Sequence, residues 1–141
     1  MKDFEYYLNT KDVKRCSPDR QLAVSLIKDM KERIDKALKL DVDEFSKIIF
    51  ENFYDALRDF CDALLALDGY KSYSHEASIV SVEKKGFDIG FISLFDNFRY
   101  KRNGSKYYGL KIMADDAKSI IKFYNENKAK INKILKEKEL L

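Results

Sequence analysis

The chain has 141 residues, 36% of them charged and 13% aromatic, with a net charge of +3 and only five Gly, one Pro and no Trp. That is one domain's length, with enough apolar material for a core and too few breakers for a turn-rich β fold, so long helices are expected. The 45% hydrophobic content excludes a disordered chain. Cys16 and Cys61 lie far apart and form no CxxC, which supports neither a disulfide framework nor a zinc site. The longest apolar run, Ala63–Leu67, is far too short to span a membrane, and the first residues carry acids with no apolar leader core. The expectation is a reduced, cytoplasmic protein with no membrane segment.

In chain order, residues 1–17 have no clear period and read as an N-terminal arm or short helix; residues 18–141 read as one helical domain. Ser17-Pro18-Asp19 predicts a helix start with Ser as cap and Pro in the first turn. Leu22, Leu26, Ile27, Met30, Ile34 and Leu38 then form one apolar stripe. Asp41 and Glu44 resemble a capping box that restarts the chain as a second helix. Phe45, Ile49, Phe53, Ala56, Phe60, Ala63 and Leu67 line that helix, and Gly69 closes it. So short a link predicts antiparallel packing of the pair.

Ser74 reads as a cap for a short helix over 77–85, although Ser78-Ile79-Val80-Ser81-Val82 tolerates a strand. Helix is preferred because an isolated strand would leave its backbone unpaired. Phe87-Asp88 predicts a further start, with Ile89, Ile92, Phe95 and Phe98 or Arg99 on one face and a break at Gly104 and Gly109. Ala114, Ala117, Ile121, Tyr124, Ile131 and Leu135 predict a last long helix with a frayed Lys-rich tail. The sum is an all-α, up-and-down antiparallel helical bundle of about three long and two short helices.

No GxGxxG, no P-loop and no nucleophile elbow is present, and one His cannot build the common His-rich metal sites. No cofactor and no metal are expected. The local anomaly is Arg99 to Lys111, which holds Arg99, Lys101, Arg102, Lys106 and Lys111 with no acid and with Tyr100, Tyr107 and Tyr108 interleaved. Cations neutralise phosphates and Tyr rings stack on unpaired bases, a combination suited to single-stranded nucleic acid, with Gly104 giving the backbone freedom to approach an anion. A solvated basic loop whose tyrosines cap the core accounts for the same residues. Since these five cations exceed the net +3, the remainder of the chain is slightly acidic. His75, between a Ser cap and Glu76, is read first as a polar residue at a helix start and second as a proton-transfer group.

Two long helices, a Leu67-Asp68-Gly69-Tyr70 ending, Ser74-His75-Glu76 opening a third, and Arg102-Asn103 ahead of the last helix together resemble the HEPN (higher eukaryotes and prokaryotes nucleotide-binding) family over residues 18–138. The resemblance implies a helical bundle that dimerises and brings two Arg-Asn-x-x-x-His motifs into one cleft. It also implies metal-independent ribonuclease activity in many members, nucleotide or RNA binding in others, and in toxin–antitoxin pairs a minimal nucleotidyltransferase partner. Here Arg102 and Asn103 match the motif, whereas Tyr107 stands in the His position. Tyr is a poor general base at neutral pH, though it donates hydrogen bonds and stacks. The expectation is therefore a homodimer that binds RNA or nucleotide through Arg99, Lys101, Arg102, Asn103, Lys106, Tyr107 and Tyr108 without efficient cleavage. The alternatives are a ribonuclease using Arg102 with Tyr107 or His75, and a protein-interaction module.

Overall fold

The computed structural model describes residues 1–141. Six helices and one two-stranded sheet follow in order: α1 (Phe4–Asn9), β1 (Val13–Arg15), α2 (Arg20–Ala37), α3 (Ser46–Asp68), β2 (Tyr70–Ser72), α4 (His75–Ser81), α5 (Ile89–Tyr108) and α6 (Ala114–Glu137). A 3₁₀ turn, Val82–Lys85, extends α4. Helix is thus the correct choice over 77–85, with the Ser74 hydroxyl accepting from the Ala77 N–H.

α3 is the most apolar helix and sits at the centre. Ile49, Phe53, Ala56, Phe60 and Ala63 are all buried on it, as the spacing predicts, together with Phe50, Tyr54, Leu57 and Leu64. α2 lies antiparallel along it: Asp19 N–H donates to Ala66 O at the start of α2, and Arg33 near its end reaches Asp59. α5 is antiparallel to α3 as well, since Phe50 meets Phe98, Tyr54 meets Phe95 and Phe60 meets Phe87. α6 begins where α3 begins, with Ser46 Oγ donating to Ile112 O and Phe53 against Tyr124. The long helices therefore alternate in direction along the chain, around one cluster of Phe, Ile and Leu.

Several expectations are corrected. α2 is capped by Asp19, whose carboxylate accepts from Leu22 N–H, so it starts at Arg20 and not at Pro18. Its buried stripe is Ala23, Ile27, Met30, Ile34 and Ala37, leaving Leu22 and Leu38 exposed. Asp41 does accept from Glu44 N–H, but it caps a turn, and α3 begins after Phe45. Ile89 is exposed, and Phe91 takes its place in the core. The long helices number four, not three, because α5 continues through Gly104 to Tyr108. Gly109, in the left-handed region at φ 70°, stops it. The Lys-rich end is also held: Leu140 is buried, and Arg20 Nη2 donates to Lys138 O and Glu139 O.

The first residues are more than an arm. Val13–Arg15 pairs antiparallel with Tyr70–Ser72 in the register Val13 to Ser72 and Arg15 to Tyr70. Phe4, Tyr7 and Val13 form a second small core with Leu65, Ala77 and Val80. This layer presses α4 against α3 and α5, and so fixes His75. Gly69 makes the connection possible: its φ is 81°, and an added Cβ would stand 2.8 Å from the Cys16 carbonyl oxygen.

Candidate functional site

Where α4 is wedged between α3 and α5, the aromatic core gives way to a polar seam. α5 supplies it by periodicity: Arg99, Arg102 and Lys106 recur at three and four residues and therefore share one face of the helix. α3 contributes Tyr54, Asp55, Arg58 and Asp62, and α4 contributes His75, Glu76 and Ser78.

At its centre, Tyr54 Oη lies 2.9 Å from His75 Nδ1, with the two rings nearly parallel. The Arg102 guanidinium covers the Tyr54 ring at 5.1 Å from its centroid. Arg102 Nη2 also pairs with Asp55 Oδ1 at 3.2 Å, and Asp55 in turn faces Arg33. Arg99 Nε donates to Asp96 Oδ1 at 2.6 Å, and Arg99 Nη1 lies 3.6 Å from Glu76 Oε1. Arg58 pairs with Asp62, which accepts from Ser78 Oγ. Glu76 accepts from the hydroxyl of buried Tyr7.

The electrostatics follow from this packing. Burial pushes the Tyr54 hydroxyl up to about 12, with Arg58, Arg102 and Arg99 pulling the other way. Burial and then the charges of Arg58, Arg102, Arg99 and Lys106 push His75 down to about 4. His75 is neutral at pH 7 because it is half-buried within a field of cations. Asp62 is raised by burial against the opposing pull of Arg58. The Nε atoms of Arg58 and Arg102 are buried and have no acceptor within the chain. Both Nε–H groups are sealed from solvent, and each guanidinium meets its carboxylate through Nη2.

The structure divides the residues expected to form one site. Arg99, Arg102 and His75, remote in sequence, come together. Lys106 borders them, with its ammonium 5.6 Å from the Tyr107 ring centroid. Asn103 is half-buried beside them. Tyr107 and Tyr108 are open to solvent at 67% and 82% exposure, so both are free to stack, and neither meets His75. Lys101 points toward α6, where it pairs with Asp116 at 3.3 Å. Gly104 lies inside α5 and offers no flexible backbone. Cys61 is sealed in the core with its thiol pushed up by burial, whereas Cys16 is exposed.

Tyr54, Arg58 and Asp62 escaped the sequence reading. They form a polar row at i, i+4 and i+8 along the most apolar helix of the chain, and that interruption was the available signal. No cluster of three or more His, Cys, Asp or Glu side chains is arranged to hold a metal ion. A surface concavity of about 560 Å³, lined by Cys16, Asp19, Leu22, Leu65 and Tyr70, meets the seam only at Asp62. Within the seam Tyr54 is fully buried, and the side chains of Arg58, Arg99 and Arg102 are only 16%, 17% and 18% exposed. No helix is long and apolar enough to cross a membrane. Compared with family models, curated proteins and solved structures, the chain gives no significant match.

Proposed function

We propose that this chain is a HEPN-like module that binds RNA through the seam, as a homodimer, without efficient cleavage. The observation that carries this reading is the convergence of Arg58, Arg99, Arg102 and Lys106 on neutral His75 beside freely exposed Tyr107 and Tyr108. Guanidiniums gathered along one seam suit phosphate oxygens, and exposed tyrosines suit unpaired bases. Exposed Tyr107 and Tyr108 suit successive unpaired bases of a strand, so RNA is favoured over a free nucleotide.

In this reading Arg102 holds a phosphate, Arg99 and Lys106 supply field, and Asn103 orients the neighbouring turn. Binding of a single-stranded RNA by the wild type and by Arg102→Ala, measured at several salt concentrations, tests it. The variant should bind about tenfold more weakly, with its salt slope reduced by about 0.7, one phosphate contact's worth. Affinity indifferent to both salt and substitution would refute the reading.

One observation favours a second reading, metal-independent RNA cleavage. Arg102 and His75 converge on Tyr54, a placement that would let His75 take the role left open by Tyr107. EDTA-resistant cleavage lost in both Arg102→Ala and His75→Gln would establish it; intact RNA after prolonged incubation with the wild type would dismiss it.

A further inference from the structure

Resting on the RNA-binding reading, we propose that the seam is a proton-linked phosphate receptor, in which a backbone phosphate drawn between His75 and the arginines of α5 binds together with one proton that settles on the His75 imidazole. The geometry leaves the ring one free nitrogen. Nδ1 is engaged by Tyr54 Oη, while Nε2 has no partner in the chain and is not among the sealed, unpaired atoms. The Tyr54 hydroxyl serves both states of the ring, donating to Nδ1 when the imidazole is neutral and, after turning, accepting from it when charged.

The surroundings decide the sign. From α3, Tyr54, Arg58 and Asp62 face this region, with Asp55 behind Arg102. From α5 come Arg99, Arg102 and Lys106, with Asp96 turned toward Arg99. Glu76 of α4 and Tyr7 of α1 complete the shell on the side of Arg99. Each carboxylate is engaged by an arginine, so the empty site favours the neutral ring, held at about 4 by burial and the cations. A phosphate anion among those cations offsets their field at the imidazole and accepts from Nε2–H, which favours the charged ring. Because the bound state then holds one more proton than the free state, affinity must rise as pH falls toward about 4. For a single linked proton the steepest dependence is about tenfold per pH unit.

His75 is the only histidine of the chain, so its imidazole Cε1–H signal can be followed by NMR with no variant required. The probe is a uridine-only RNA oligonucleotide without terminal phosphate, whose bases and diesters do not titrate between pH 5 and pH 7.5. At saturation the midpoint of the His75 titration should rise by at least about one unit. In parallel, fluorescence anisotropy at constant ionic strength should show wild-type affinity tightening by at least about twofold in all between pH 7 and pH 5, with most of the gain below pH 6. His75→Gln, which keeps a hydrogen-bonding side chain, should bind with a flat profile. If RNA binds but the His75 midpoint does not move, or if His75→Gln keeps the wild-type slope because Asp62 carries it, the proton linkage is wrong and the RNA-binding reading stands. If no RNA binds at any pH, both fall.

Discussion

The two halves of α5 pack against their neighbours by opposite means. Phe91, Phe95 and Phe98 meet Phe50, Tyr54 and Phe123 in edge and stacked contacts that satisfy no polar group and need none. One turn later Arg99 and Arg102 occupy equivalent inward positions, and each needs a carboxylate: Asp96 with Glu76, and Asp55. Burial of aromatic surface is non-directional and accounts for the bundle's stability, whereas a half-buried guanidinium has to be matched donor by donor. A helix that turns from the first kind of packing to the second spends stability on charge, and the place where it does so is where a ligand is expected.

Phe95→Ala should have the largest effect on folding, about 3–5 kcal/mol by denaturant unfolding, because the ring is fully buried against Tyr54, Phe91 and Phe123. A loss below about 1 kcal/mol would mean that the aromatic half is not the core. Gly69→Ala should cost about 1–3 kcal/mol, since it forces a left-handed backbone onto Ala and a Cβ against the Cys16 carbonyl. It should also loosen α4 and broaden the His75 signal, which Phe95→Ala would do only through global unfolding.

The smallest expected effect is the acid dependence of stability. His75 is depressed in the folded state to about 4, so the native state loses stability as pH falls from the ordinary imidazole range through that value. Asp59 is raised to about 6 by burial against the pull of Arg33, so its contribution runs the other way: the folded protein gains stability as pH falls from about 6 toward the ordinary carboxylate range. Burial likewise raises Asp62, which adds in the same direction as Asp59. His75→Gln should therefore make Tm fall less, and Asp59→Asn make it fall more, on going from pH 6.5 to pH 4.5, by a few degrees each. Identical pH profiles for the two variants would show that burial at these two positions does not impose these ionisations.

Much of the bundle was legible in the sequence because helix faces write themselves in steps of three and four. Ile49, Phe53, Ala56, Phe60 and Ala63 on α3, and the caps Ser74, Asp88, Gly69 and Gly109, fall where the pattern puts them. Val13–Arg15 and Tyr70–Ser72 are too short to show an alternation, and their pairing joins distant segments. Gly104 looked like a breaker, yet helical hydrogen bonding and the packing of Leu110 carry α5 through it. Of the candidate site, Arg99, Arg102 and His75 could each be picked out by residue type. Their meeting around Tyr54 could not, because it depends on how α4 is wedged between α3 and α5. Lys101 was grouped with them by adjacency, and the helical turn sends it to Asp116.

Arg102 and Lys101 are neighbours in sequence, carry the same charge and lie on different sides of α5, so replacing each with Ala removes one cation from either face of a single helix. RNA affinity of the two variants, measured side by side at low salt, is the most direct test of the seam. Arg102→Ala should weaken binding about tenfold and Lys101→Ala by no more than about twofold; equal losses in both would contradict the seam and leave only a diffuse basic surface.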